Sequence, residues 1–382
     1  MYQESDVLVD IRSLRAEIPL LDRCIALANC SHAPQTRAAS EAAAAFLESW
    51  NQDGMDWDTW IAEVDAARAA FARLIGAEPD EIAVTSSVSA ATAAVASSLD
   101  FTGERSRVVV SDAEFPGTAH AWAAHGRSGA EYVRVPARGD TMHAGDYREL
   151  VDERTAVVSA SHAWFRNGSL QDVAEIVRTA REAGALTYID AYQTAGVFPI
   201  DVKALDVDFL SSGVLKYLMG IPGIAFLYVR SDLAESLQPA FTGWFGRNDP
   251  FEFDPGDLDP APGARRFDIG TPPIINAYVA RAGIEWILNI GVEAVRDRTL
   301  QLSRRIAEQL GERGLTIDGP ADPVDRTPVT AVACEHAASV EATLRERGIL
   351  VSARGSVVRL APHVFNTFEE VDAAVDALAD VV

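Results

Sequence analysis

The chain has 382 residues, 48% of them hydrophobic and 23% charged, which is typical of a soluble globular enzyme with a large core. The formal net charge of −23 argues against binding to the phosphate backbone of nucleic acids. Residues 1–6 lack the basic and apolar regions of a signal peptide, and no apolar stretch approaches the roughly eighteen residues that span a bilayer. We therefore expect a cytoplasmic protein without a membrane partner.

Residues 80–230 alternate short β-branched runs with alanine-rich helical stretches such as 89–99 and 170–183. This alternation predicts a mainly parallel sheet with helices on both faces, whose ligands bind beyond the carboxyl ends of the strands. The predicted strands are 81–85, 107–111, 131–135, 155–159, 186–190, 207–210 and 224–229.

Residues 249–264 are rich in Pro, Gly and Asp and predict an exposed connection. The remainder predicts helices at 274–288, 292–313, 337–347 and 369–381, with strands at 329–333, 349–352 and 357–360. We expect an N-terminal segment at 1–20, a large domain at 21–260 and a smaller α+β domain at 261–382.

Metal chemistry is not expected. The three cysteines, Cys24, Cys30 and Cys334, form neither a disulfide framework nor a C-x-x-C pair. The seven histidines contain no H-E-x-x-H pattern.

Lys216 is one of only two lysines, against thirty-one arginines, and lies just before an apolar predicted strand. A buried ammonium loses hydration, so its pKa falls and the neutral amine becomes available as a nucleophile. Lys216 is therefore a candidate for Schiff-base chemistry. The alternative is that biased base composition replaced most lysines and Lys216 merely remains.

Asp190 ends an apolar predicted strand, where a carboxylate is usually a helix cap or turn former. One βα-like segment separates it from Lys216, so the same edge of the sheet could present both side chains. An aspartate facing a pyridine nitrogen would keep that nitrogen protonated and make the ring an electron sink.

These residues, with three other segments, resemble the class V aminotransferase family of pyridoxal-phosphate enzymes, which includes cysteine desulfurases and kynureninases. The resemblance covers residues 26–372. It rests on Asp-Ala-Tyr-Gln-Thr-Ala-Gly at 190–196, Asp-Phe at 208–209 followed by Lys216, and the segments 222–229, 267–274 and 358–367. It implies fold type I: a large domain with a mainly parallel seven-stranded sheet and a smaller α+β C-terminal domain.

The resemblance also implies cofactor-binding roles for individual residues. Lys216 is the expected Schiff-base lysine and proton shuttle, and Asp190 the expected partner of the pyridine nitrogen. Gln193 would donate to the phenolic oxygen of pyridoxal phosphate. Phe115 would stack on the pyridine ring, although a buried core aromatic is the simpler alternative.

Phosphate contacts are implied at two places. The segment 85–90 leads from a strand into a helix, so the amides of Val88 and Ser89 and the Ser89 hydroxyl could bind a phosphate, although serine-rich turns are also common helix caps. Thr271 resembles the residue that reaches the phosphate of a neighbouring subunit, which implies a homodimer with shared active sites. Trp244 resembles a kynureninase tryptophan near the phosphate and could equally pack at a subunit interface.

Arg359 is the strongest candidate for binding the substrate. It resembles the family arginine that grips an α-carboxylate, and a guanidinium matches a carboxylate bidentately. Asn29, Ser31 and His32 loosely match a segment that lines the substrate pocket. A solvated surface arginine and a capping histidine are the ordinary alternatives.

Two specific activities are disfavoured by departures from the family pattern. Cysteine desulfurases need a thiolate on the loop before the carboxylate-binding arginine, and residues 352–356 contain no cysteine. Kynureninases carry histidine, tyrosine and asparagine where this chain has Gln193, Leu215 and Thr271.

A further departure concerns Trp164, which lies near a position where relatives often have an asparagine that holds the substrate carboxylate.

The sequence thus predicts a homodimeric pyridoxal-phosphate enzyme that acts on an amino acid through a Lys216 Schiff base, with transamination expected. The alternatives are a lyase that cleaves the carbon–sulfur bond of a cysteine conjugate, or other Cα chemistry such as decarboxylation or epimerisation. A nicotinamide oxidoreductase is disfavoured because no G-x-G-x-x-G follows a strand. A catalytically inactive member that only binds a ligand is disfavoured by the presence of Lys216, Asp190 and Arg359 together.

Overall fold

A computed structural model describes residues 10–382, so residues 1–9 of the expected N-terminal segment lie outside the described residues. The helices of the described part are α1 (Ile11–Ala16), α2 (Arg37–Asp53), α3 (Trp57–Ile75), α4 (Val88–Ser97), α5 (Pro116–Ala124), α6 (Val173–Glu182), α7 (Val202–Leu205), α8 (Ser231–Ala234), α9 (Ile274–Ile290), α10 (Val292–Glu312), α11 (Ala337–Glu346) and α12 (Phe368–Ala379). None of these helices is both long enough and apolar enough to span a bilayer.

The strands of the same residues are β1 (Ile25–Ala26), β2 (Ile82–Thr85), β3 (Arg107–Ser111), β4 (Glu131–Val135), β5 (Thr155–Ser161), β6 (Leu186–Asp190), β7 (Phe209–Gly213), β8 (Ala225–Val229), β9 (Ile317–Asp318), β10 (Thr330–Ala333), β11 (Ile349–Leu350), β12 (Ser352–Arg354) and β13 (Val357–Leu360).

Within residues 10–382, seven strands form the large sheet in the order β2-β8-β7-β6-β5-β3-β4. Strands β4, β3, β5, β6 and β7 are parallel, whereas β8 runs antiparallel to both of its neighbours. The predicted mainly parallel seven-stranded sheet and the fold type I architecture are therefore confirmed.

The valine runs are explained by burial of both sheet faces. In β3, Val109 belongs to the core beneath α3 and α6, while Val108 and Val110 belong to the core beneath α4 and α5. Successive strand residues point to opposite faces, so a strand covered on both sides must be apolar at every position.

Helices α2 and α3 were not identified from the sequence. The side chain of Thr36 accepts from the Ala39 N–H at the start of α2, and that of Asp56 accepts from the Thr59 N–H at the start of α3. Gly76 ends α3 in the left-handed region at φ 70°. These are ordinary cap signals, which mark the starts of both helices and the end of α3.

A second core lies between helices α10, α11 and α12 and the four-stranded sheet β12-β13-β10-β9. Helix α9 packs instead against α2 and α3, in the core of the large sheet. The expected domain boundary at residues 260 and 261 stays a prediction, and the packing of α9 favours a later boundary.

The prediction of a single strand at 349–352 is wrong. Ile349 and Leu350 form β11 and pair in parallel with β1, whereas Ser352 begins β12, which pairs with β13. The expected exposed connection at 249–264 is exposed along most of its length, but Ala264 is buried in a short 3₁₀ helix. The segment 349–352 is thus divided between two different partner strands, β1 and β13.

Candidate active site

A cavity of about 280 Å³ opens at the carboxyl edge of the large sheet. Loops that follow β2, β3, β5, β6 and β7 supply most of its wall, and the hairpin of β12 and β13 closes one side. Parallel strands bring their following loops to one edge, which explains why residues far apart in sequence meet here.

Lys216 lies on the loop after β7 and lines this cavity. Its Nζ lies 4.0 Å from the centre of the Tyr192 ring and 5.8 Å from that of Phe115. Burial lowers the pKa of Lys216 to about 8, although the charge of Asp190 opposes this shift. Much of the amine is therefore neutral near pH 8, as a nucleophile or a base requires.

Asp190 ends β6, the strand next to β7, and pairs with Ser211. Its Oδ1 accepts from the Tyr192 N–H at 2.8 Å and its Oδ2 from the Thr118 hydroxyl at 3.2 Å. Burial raises the pKa of Asp190, whereas the bond from Tyr192 and the charge of Lys216 lower it. A cationic ring nitrogen beside this carboxylate would compensate for its burial.

Glu114 is a second buried carboxyl group near Asp190, and sequence reasoning missed it. It accepts hydrogen bonds from Ser159 Oγ at 2.9 Å and Ser161 Oγ at 2.8 Å. Burial, and then the charge of Asp190, raise its pKa to about 8. Glu114 is therefore largely protonated at neutral pH and adds little negative charge beside Asp190.

Gln193 and Phe115 both line the cavity. The Gln193 Nε2 donates to Cys30 O at 3.1 Å, while its buried Oε1 has no partner among the described residues. The Phe115 ring is 47% exposed and meets Phe165 edge-on at 5.3 Å, so it is not the buried core aromatic of the simpler alternative. An amide oxygen without a partner and an open aromatic face suit a polar heteroaromatic ring.

Val88 and Ser89 lie in the first turn of α4 and line the same cavity. Ser87 caps this helix by accepting from the Ala90 N–H, which leaves other first-turn amides for an anion. Gly117 faces this turn, because a Cβ atom there would lie 2.6 Å from Ser89 Oγ. Together with Asp190, Gln193 and Phe115, this helix start fits the phosphate and ring of pyridoxal phosphate.

Arg359 lies on β13 and is 1% exposed. Its Nη2 donates to Ser31 Oγ at 2.8 Å and to Ser352 Oγ at 2.6 Å, its Nε to Ser352 O at 3.4 Å, and its Nη1 to Phe165 O. A guanidinium has five N–H donors, so one remains free. A carboxylate would bind to that N–H and the neighbouring hydroxyl, or displace a hydroxyl.

Two expected substrate-binding residues do not line the cavity. Asn29 is fully buried, and its Nδ2 donates to Ala26 O at 3.1 Å and to Ala361 O at 2.7 Å. Its side chain therefore links the end of β1 to the backbone after β13. His32 is exposed. Its N–H donates to Ala28 O in a turn, and in this turn the preceding residue, Ser31, lines the cavity. The expectation that Asn29 and His32 line the pocket is therefore corrected, whereas Ser31, expected from the same segment, does line the cavity, together with Cys30.

Thr271 and Trp244 also lie outside the cavity wall of the single chain. Thr271 is exposed. Trp244 packs in a surface aromatic cluster with Trp57, Phe245, Phe251 and Phe253. Both positions are compatible with their expected roles across a subunit interface, which stay predictions.

Sequence reasoning also missed Tyr192, Phe165 and Arg354 in the cavity wall. Tyr192 could have been found, because it lies between Asp190 and Gln193 in a segment already singled out. Arg354 had no such signal, since it is one of thirty-one arginines and only the hairpin register brings it to the site.

Known proteins are similar to this chain along nearly its whole length. The family model described as aminotransferase class-V matches residues 33–374. An uncharacterized aminotransferase, YcbU, from Bacillus subtilis is 36% identical over 96% of each chain. A kynureninase from Salinispora tropica is 29% identical over 93% of this chain and 90% of its own. The solved structure of a cysteine desulfurase from Thermococcus onnurineus superposes with a TM-score of 0.88 at 23% identity, covering 99% of both chains.

Proposed function

Because the chain belongs to the class V aminotransferase family, we propose that it is an aminotransferase in which Lys216 is the catalytic base. The protein is a pyridoxal-phosphate-dependent transferase or lyase, as the family and its kynureninase relatives indicate. One observation supports the proposal most: a single cavity joins the low-pKa amine of Lys216, the carboxylate of Asp190 and the guanidinium of Arg359.

Pyridoxal phosphate, when bound, supplies an aldehyde that condenses with primary amines and a ring that withdraws electrons from bonds at the α-carbon. We assign its phosphate to the first turn of α4 at Val88 and Ser89, and its ring nitrogen to Asp190. Gln193 would donate to the phenolic oxygen, which requires its amide to turn from Cys30 O or to share its second N–H. Phe115 would cover one face of the ring.

The protein side of the reaction follows from these positions. Arg359 and the Ser31 hydroxyl hold the α-carboxylate of the amino acid, which fixes the orientation of the α-carbon. The neutral amine of Lys216 takes the α-proton and can return it to another carbon, as a general base and then a general acid. Asp190 keeps a negative charge against the ring nitrogen, which favours electron flow away from the α-carbon.

A lyase that cleaves the carbon–sulfur bond of a cysteine conjugate is the second candidate. Phe115, Phe165 and Leu215 give the cavity an apolar wall that would accept the apolar part of such a conjugate. The same residues also fit an aminotransferase, so products decide between the two. We favour transamination because the relative with 36% identity carries that name.

The deciding experiment is to incubate the coloured enzyme with single amino acids and with cysteine conjugates, in the absence of a keto acid. Transamination should convert the cofactor to pyridoxamine phosphate and release the matching keto acid in one equivalent. Elimination should release pyruvate and ammonia over many turnovers. No change of the cofactor spectrum with any compound would contradict both candidates.

We predict that the amine of Lys216 titrates near pH 8. Since its pKa in the folded protein lies below the ordinary value of about 10.4, the neutral form gains population as pH rises through 8 and is nearly complete above about 9. The rate of colour formation after adding pyridoxal phosphate to cofactor-free protein should rise with half-maximum near pH 8. A half-maximum above pH 10 would show an ordinary solvated lysine, and Lys203→Arg should leave the profile unchanged.

We also propose a cytoplasmic homodimer with shared active sites, to which Thr271 and Trp244 contribute. Large apolar side chains are exposed around Trp244, with Phe253 at 70% and Leu258 at 65%, and an exposed cluster of this size commonly marks an interface. Light scattering during gel filtration should give about twice the 41.1 kDa of one chain. Trp244→Ala with Phe253→Ala should weaken the dimer, and a monomeric active wild type would refute shared sites.

A further inference from the structure

The hairpin of β12 and β13 places two arginines on one face. Ser352 pairs with Arg359 and Arg354 pairs with Val357 in its antiparallel register. Directly paired residues share a face of the sheet, as do residues two apart on one strand. Arg354 therefore lies on the same side as Arg359, and both line the cavity that contains Lys216.

The two guanidinium groups meet at one hydroxyl. Ser31 Oγ accepts from Arg359 Nη2 at 2.8 Å and from Arg354 Nη2 at 3.4 Å. The remaining hydrogen bond of Arg354 runs from Nη1 to the backbone oxygen of Ala353 at 2.8 Å. Within residues 10–382 neither guanidinium forms an ion pair, although most other arginines of that part do.

The two arginines differ in depth and in free donors. Arg359 is buried at the floor with one free N–H, whereas Arg354 is exposed at the mouth and keeps three of its five N–H groups free. Burial lowers the pKa of Arg354, and repulsion from the charge of Arg359 lowers it further. The nearby Glu341 is engaged by Arg345 and by the Ala353 N–H.

The charge balance of the cavity indicates what Arg354 would bind. Asp190 serves the cofactor ring, so the substrate end has two cations and no anion, in a protein of net charge −23. One α-carboxylate balances one guanidinium. A second anionic group on the substrate would balance the other and satisfy its free donors.

We propose that Arg354 binds an anionic side-chain group of the substrate, so that the preferred substrates are acidic amino acids whose side chain ends in a carboxylate. This inference rests on the proposed function, since it requires that an amino acid occupy the cavity. Arg359 then selects the α-carboxylate at the floor, while Arg354 selects the distal anion at the mouth.

Binding is measured on the coloured enzyme by the change in cofactor absorption during titration with L-aspartate and L-glutamate, against L-asparagine and L-glutamine. The amides match the acids in size and lack only the charge. A charge-assisted bond should make the acids bind about tenfold tighter or more. Arg354→Gln should abolish this preference by weakening acid binding, with amide binding changed less than about twofold.

Three variants separate the roles of the arginines. Arg347→Gln removes an exposed arginine of the same domain that pairs with Asp380, and it should change nothing. Arg354→Lys keeps the charge and should retain part of the preference. Arg359→Lys should weaken acids and amides alike, and thermal unfolding reports whether each variant is folded.

Two results would overturn the proposal for Arg354: a wild type that binds acids and amides equally, or an Arg354→Gln variant that weakens both alike. The second result would mean that Arg354 shares the α-carboxylate with Arg359. A coloured enzyme whose spectrum responds to no amino acid would instead refute the proposed function itself, and the inference with it.

Discussion

Lys216→Ala is expected to lower turnover by at least about 10³-fold and to leave the purified protein colourless. The variant loses the only lysine amine of the cavity wall, and with it both the covalent attachment and the base that takes the α-proton. Its fold should remain intact, because burial of a potential charge disfavours the folded state and alanine removes that cost. Absorption spectra, turnover with the amino acids found active, and thermal unfolding measure the three effects.

The low lysine content of the chain provides a control for this prediction. It has only two lysines, so in Lys203→Arg the single lysine left is Lys216. Borohydride reduction of that variant, followed by mass spectrometry of its peptides, should place the whole cofactor adduct on the peptide that contains Lys216. A yellow Lys216→Arg protein with full turnover would refute the assignment.

Asp190→Asn is expected to lower kcat by about 10² to 10³-fold while the affinity for the amino acid changes little. The asparagine Oδ1 can still accept from the Tyr192 N–H, and its Nδ2 can donate to the Thr118 hydroxyl instead of accepting from it, so the local geometry should persist. Only the negative charge is lost, and with it the preference for a protonated ring nitrogen. Steady-state kinetics at saturating substrate, with spectral titration for binding, separate the two effects.

Glu114→Gln is the matched control for Asp190. Its side chain is also buried, but its raised pKa of about 8 means that it carries little charge at pH 7, so an amide should cost less than about tenfold there.

The sign of the pH effect provides a further check on Asp190. Burial raises its pKa above the unfolded value, so its ionisation disfavours the folded state increasingly as pH rises. Cofactor-free Asp190→Asn should therefore be at least as stable as the wild type at pH 7. Full activity of Asp190→Asn, or a larger loss in Glu114→Gln, would exclude the proposed role.

The strands and the principal residues of the site were determined by local sequence. The valine runs of β3 and β5 were predicted as buried strands, and both faces of the sheet are covered. Asp190 and Lys216 follow adjacent strands, and parallel strands bring the following loops to one edge. Their proximity was therefore predictable without coordinates. Helices α2 and α3 were not predicted, although Thr36 and Asp56 mark their starts and Gly76 marks the end of α3.

Only the tertiary structure decided which polar side chains share the cavity. Ser31 lies 321 positions from Ser352, to which it is hydrogen-bonded, and Arg359 lies 194 positions from Phe165, whose carbonyl it binds. No local period encodes such pairs, because they depend on how the hairpin of β12 and β13 packs against distant loops. For the same reason the sequence placed Asn29 and His32 in the pocket beside Ser31, whereas in the fold Ser31 and Cys30 line it. The sequence also gave no sign of Arg354. Local periodicity determines whether a segment forms a helix or a strand, whereas the packing of distant segments determines which side chains meet in the cavity.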